Sequence, residues 1–164
     1  MTLLEDAIDA HGGLARWREI RSIDVSLRCG GIAMPLKGQP TVLRQFTATV
    51  DPRRPHVELH SIGTFDSSVP RPAGMARRLR WSTDDVVHFA GYALWGYLAA
   101  PFVFADPDVT VRELPGRRLR VDFPAAIDIR KAGNGSSCAD LVLGLLGLEG
   151  LPAWTSFMTT VLIS

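Results

Sequence analysis

The sequence predicts an α+β domain in which a curved antiparallel sheet, an incomplete β-barrel, wraps over an apolar helix behind two short amino-terminal helices. Three observations predict it. Several short segments alternate apolar and polar residues with a period of two, the sign of strands with one buried face. One stretch, HFAGYALWGYLAAPFVF at 88–104, carries no charge after its first residue. Gly and Pro clusters separate these segments at short intervals, which suits hairpins rather than the long crossovers that parallel strands need.

Taken in order, Leu3 to Ala10 reads as a short helix stopped by His11-Gly12-Gly13, and 14–20 as a second one. Ile23, Val25, Leu27 and Cys29 then alternate with Asp24, Ser26 and Arg28, closed by Gly30-Gly31. Within 43–50, Phe46, Ala48 and Val50 share a face, and after the turn DPRRP at 51–55, Val57 and Leu59 oppose His56, Glu58 and His60. These two runs predict an antiparallel pair. Residues 63–78 are rich in Gly, Pro, Ser and Arg, show no period and read as a loop. Val109 and Val111 open a second hairpin, turned by LPGRR, from which Leu119, Val121 and Phe123 return with Arg118, Arg120 and Asp122 on the other face.

The aromatic stretch belongs to a helix that Ser82 or Thr83 can cap, with Asp84 and Asp85 at the positive end of its dipole. Pro101 biases Ala100 away from helical dihedrals, so the helix should stop within 98–100. A membrane span needs roughly 17–25 apolar residues with aromatic side chains at its two ends. Here a proline divides the run, and Tyr92, Trp95 and Tyr97 sit in its middle. A helix that is apolar nearly all round is a buried one. Tyr92, Trp95 and Tyr97 each need a polar partner when buried, which suits a partly hydrated cavity, and Gly91 and Gly96 mark places where another group comes close. The ligand-binding residues expected on these grounds are His88, Phe89, Tyr92, Trp95, Tyr97, Phe102 and Phe104. The apolar face of the sheet, from Val25, Leu27, Phe46, Val50, Val57, Leu59, Val121 and Phe123, should cover one side of this helix and leave the other more exposed than its composition warrants.

With 164 residues, one domain is expected, a half-barrel over residues 1–131. A formal net charge of +1 gives no field for nucleic acid. The acidic amino end, MTLLEDAIDAHGG, does not have the basic segment of a secretory signal, which predicts a cytoplasmic protein without a transmembrane segment. Cys29 and Cys138 fit neither a zinc knuckle nor a disulfide framework and read as free thiols. Residues 132–164 form an atypical apolar tail: after Lys131 the only charged residues are Asp140 and Glu149, and the alternation stops. It reads as a weak helix over 139–148 and a terminal strand over 157–163.

No catalytic, cofactor or metal signature emerges. His56-x-Glu58-x-His60 places three possible ligands on one strand face, about 6.6 Å apart in alternate positions, but no further ligand is identifiable and such faces are ordinarily solvated. GNGSSC at 133–138 does not have the form of a nucleophile elbow, and no Gly-rich segment carries a phosphate-loop lysine. RRPHVELH and ARRLRW are basic, yet nearby acids favour solvated faces or turn residues.

Four segments, AHGGLARWREIRSI (10–23), LKGQP (36–40), HFAGYALWGYLAAPFVF (88–104) and RRLRVDFP (117–124), resemble an uncharacterised bacterial family. That family is similar in fold to the lipoprotein carriers and receptors of the bacterial envelope (LolA/LolB-like), whose curved sheet forms an incomplete barrel over helices. The resemblance implies a shell for a lipid or other apolar ligand and carries no catalytic residues. The chain departs from the pattern between Ile62 and Trp81, which is short enough to lack a hairpin, and again after Ala126. The second departure reads as truncation or a frameshift: codons for Phe157 to Thr160 read from one base earlier give His or Tyr, then Asp, then one of Tyr, His, Asn or Asp, and the family pattern has an aromatic-Asp-Tyr strand near this place.

The sequence therefore supports a non-catalytic protein that binds an apolar small molecule or lipid, with no cofactor. Two alternatives stand beside it: a small-molecule enzyme using His88 as acid or base with Tyr92 one turn later, and an inactive truncated product of a larger gene. The oligomeric state is not specified by the sequence.

Overall fold

Thr2 and Ser82 open the two longest helices of the described residues in the same way. In α1 (Leu3–Ala10) the Thr2 hydroxyl accepts from the Glu5 amide at 3.2 Å while the Glu5 carboxylate accepts from the Thr2 amide at 2.7 Å. In α4 (Thr83–Ala99) Ser82 and Asp85 repeat this reciprocal cap, which satisfies amides that a helix start leaves without partners. The computed structural model describes residues 1–115 and 118–124 and the backbone of 160–163.

Between these helices lie α2 (Leu14–Glu19), β1 (Ile23–Arg28), α3 (Ala33–Leu36), β2 (Phe46–Val50), β3 (His56–Leu59), β4 (Gly63–Asp66) and a 3-10 turn, Met75–Arg77. After α4 come a 3-10 turn (Phe102–Ala105), β5 (Thr110–Leu114), β6 (Arg118–Asp122) and β7 (Thr160–Ile163). The strands form a curved antiparallel sheet in the order β4-β3-β2-β1-β7 and a separate β5-β6 pair. The fold is α+β, and the sheets do not close into a barrel. Among the described residues, no helix is long and apolar enough to cross a membrane.

The predicted alternation sets which face of the large sheet is covered. Val25, Leu27, Phe46, Ala48, Val50, Val57 and Leu59 are all buried, and Asp24, Ser26, Thr47, Glu58 and His60 are exposed. Registers pair Val25 with Ala48 and Ala48 with Leu59, so the apolar side chains lie in rows across the strands. One core cluster joins this face to Val86, Val87, Phe89, Ala90, Tyr92, Trp95 and Ala99 of α4. The close approach is at β4. An added Cβ on Gly91 would lie 2.2 Å from both Cβ and Cγ of Phe65, so only glycine lets this strand rest on the helix.

Four expectations change. The stretch 63–78 is not a plain loop: it holds β4 and a 3-10 turn, hidden because a four-residue strand with one buried side chain, Phe65, shows no period. α3 was not foreseen because Pro35 lies inside it; in the first turn of a helix a missing amide costs nothing. Val121 and Phe123 belong to the separate hairpin, half-buried, and do not extend the face over α4. Finally, α4 is not left open, because every residue from Asp85 to Tyr92 is buried. The sheet covers one side, and Met75, from the stretch read as a loop, and Trp81, which follows that stretch, join the same core, with the Trp81 and Phe89 rings 5.3 Å apart. Of the tail, β7 pairs with β1, aligning Thr160 with Arg28 and Ile163 with Val25. The helix expected over 139–148, Cys138 and the question of frame lie outside the described residues.

Candidate functional site

A cavity of about 340 Å³ opens where the chain between β4 and the Met75–Arg77 turn passes α4. Ser67, Val69, Pro70, Arg71, Pro72, Ala73 and Gly74 line one side, and His88 and Tyr92 the other.

The first side is tied at both ends. At the β4 end, the Ser67 amide donates to the Pro55 carbonyl at 3.0 Å. Asp66 accepts from the Ser68 hydroxyl at 2.6 Å and the Ser68 amide at 2.9 Å, and its other oxygen lies 2.9 Å from Nδ1 of His56. These bonds, those of Ser68 foremost, hold the Asp66 carboxyl far below the usual carboxylate range. In the middle, Pro70 and Pro72 fix their own φ, and each proline also restricts the residue before it, so the backbone around Arg71 is stiff. At the other end Gly74, with φ of +71°, makes the left-handed turn into the 3-10 segment.

Arg78 and Asp85 brace this turn against α4. Nη1 of Arg78 reaches both carboxylate oxygens of Asp85, at 2.9 and 2.8 Å, and Nη2 donates to the Ala73 carbonyl. Asp85 is wholly buried and also accepts from the Ser82 amide at 2.9 Å and hydroxyl at 3.0 Å, so its charge is paired and hydrogen-bonded as burial requires. Segment 36–39 clips the brace from outside. Lys37 Nζ donates to the Arg78 carbonyl at 3.0 Å and sits 5.2 Å over the Trp81 ring, the Trp81 amide donates to the Lys37 carbonyl at 2.8 Å, and Gln39 Nε2 to the Trp81 carbonyl at 2.7 Å. Desolvation lowers the Lys37 ammonium below its usual value, with Asp85 opposing the shift.

The seven residues expected to bind ligand fall in separate places. His88 and Tyr92 line the cavity together, both buried, their rings 5.1 Å apart edge-on and each against Phe65, at 5.5 and 4.5 Å. Phe89 packs into the core on Trp81. Trp95 is buried in that core too, and its indole N–H has no acceptor among the described residues, at a cost of about 1–3 kcal/mol. Tyr97 is 45% exposed. Phe102 stacks on Trp17 at 4.3 Å and ties α2 to the end of α4. Phe104 meets Phe123 of the small hairpin at 6.1 Å. The residues that complete the cavity, Ser67 to Gly74, were read as featureless. The Ser82-x-x-Asp85 spacing was legible as a cap, but nothing local in ARRLRW marks Arg78 as an internal partner.

The histidines outside the cavity have local partners. His60 bridges the Thr47 and Thr49 hydroxyls at 2.9 and 3.1 Å, His56 meets Asp66, and His11 Nδ1 lies 2.7 Å from the Ala7 carbonyl. Among the described residues, no three His, Cys, Asp or Glu side chains gather as metal ligands. Cys29 is a free thiol whose pKa burial pushes up, which disfavours the reactive thiolate.

The chain matches no protein-family model, no curated protein and no solved structure. What the site can do therefore rests on its own residues. It offers a small concave space with an aromatic floor, an imidazole, two hydroxyls, a guanidinium and the apolar surfaces of Val69, Pro70 and Pro72.

Proposed function

We propose that the chain is a non-catalytic binding protein for a small apolar or lipid-like molecule, and that its site is the cavity between residues 67–74 and the His88/Tyr92 face of α4. The observation that carries this reading is the cavity itself: about 340 Å³, in the size range of small-molecule pockets, with a lining more polar than apolar in which Ser67, Arg71, His88 and Tyr92 stand beside Val69, Pro70 and Pro72. The braced wall supports it as well, because a pre-formed site loses less ordering entropy on binding. The sheet's own apolar face contributes less than the half-barrel resemblance implies, since α4 already packs against it. His88 and Tyr92 meet through ring edges, a packing geometry, which favours binding over an acid–base relay.

A dye that brightens in apolar surroundings should saturate at one site per chain. Replacing Ala73, exposed on the wall, by Trp should fill the cavity and weaken the dye by about tenfold or more, with the thermal melt unchanged. Absence of saturable binding, or saturable binding indifferent to Ala73→Trp, would overturn the assignment.

A further inference from the structure

Resting on that reading, we infer that the ligand carries a carboxylate and that Arg71 is the residue that selects it. Among the described residues, no acidic side chain lines the cavity. Its charged lining residue is Arg71, and none of the ion pairs among the described residues includes it. Of the acids nearest along the chain, Asp66 is committed to Ser68, His56 and Arg54 and Asp85 to Arg78 and Ser82, while Asp84 is exposed in the first turn of α4 and is not among the cavity's lining residues. An anion entering the cavity meets an arginine that has no ion-pair partner among the described residues.

The setting of Arg71, which is half-buried, gives it more weight than the exposed arginines. It stands between two prolines on a wall anchored through Ser67 at one end and through Arg78 and the Ala73 carbonyl at the other. Its backbone is therefore presented at little entropic cost when its side chain binds. A planar guanidinium matches a carboxylate with two parallel hydrogen bonds. The wall has one such group, no lysine and no run of glycines, which suits a monoanionic carboxylate better than a phosphate with its greater charge. Val69, Pro70, Pro72 and the Tyr92 ring supply the surface for the rest of the molecule.

The probes are octanoate and octan-1-ol, which share a chain and differ in the head group, titrated calorimetrically into the full chain and into Arg71→Met. The wild-type chain should bind octanoate about tenfold or more tightly than octan-1-ol. Arg71→Met should remove that margin by weakening octanoate about tenfold or more. Equal affinities in the wild type, or a margin that survives Arg71→Met, would overturn the carboxylate assignment while the binding reading stands. If neither probe binds, the cavity is not an apolar-ligand site and both fall.

Discussion

The large sheet and the β5-β6 hairpin are written in the same alternating code, yet they are buried differently. Each strand of the large sheet from β1 to β4 has at least one buried side chain, and from β1 to β3 the apolar positions enter a common core with α4. The hairpin has none: β5 and β6 expose or half-expose every residue, including the cross-strand pair Val111 and Val121. Alternation thus states that a strand has an apolar side. What covers that side is decided by elements distant in sequence, and for the large sheet the cover is a helix that a single glycine lets settle.

That glycine gives the largest test of the contrast. Gly91→Ala would drive a Cβ into rigid atoms of Phe65, and the helix-propensity gain of about 1 kcal/mol cannot offset it, so a net loss of about 2–3 kcal/mol in denaturant stability is expected. Gly96 lies in the same helix with nothing within 4 Å of an added Cβ. Gly96→Ala should instead stabilise by up to about 1 kcal/mol. Equal effects from the two alanines would mean that β4 does not rest on the helix as described.

A like-for-like comparison of valines comes next. Val57 in β3 is wholly buried between Val50 and Phe65 in the register, whereas Val111 in β5 is half-buried. Val57→Ala should cost about 2 kcal/mol from lost transfer energy and the cavity left behind, and Val111→Ala under about 1 kcal/mol. Matching losses would show that the hairpin has a cover of its own.

How much was legible follows from the range of the signals. Caps at Ser82 and stops at Pro101 act within a turn, so α4 could be read almost to the residue. The period of two extends over five or six residues, so β1 and β2 were readable and the four-residue β4 was not. Assigning β6 to the same face as β1 failed because alternation carries no information about the partner strand. The candidate site was half legible. His88 and Tyr92 stand out in an apolar run, but the wall facing them depends on Arg78 reaching seven residues ahead to Asp85 and back to Ala73. Such a brace leaves no pattern in either segment. Gly91 and Gly96 looked alike in sequence because the strand that distinguishes them comes from a stretch without a period.

The smallest expected effect sharpens the contrast at the sheet's edge, where β4 passes into the cavity wall. Asp66, directly across from His56 in the β3-β4 register, has its carboxyl held far below the ordinary range by Ser68 and then His56. A carboxylate with a depressed folded-state pKa binds fewer protons when folded than when unfolded, so it stabilises the fold above the unfolded value of about 4 and loses that stabilisation as pH falls toward its folded value. Its side chain is 28% accessible, so screening keeps the effect modest. Melting temperatures of the wild type and Asp66→Asn, measured from about pH 7 to about pH 3, should therefore differ most at neutral pH and converge on acidification. A constant difference across that range would show that Asp66 is not held by charge-assisted bonds. The start of the 67–74 wall would then be anchored by the Ser67 amide alone.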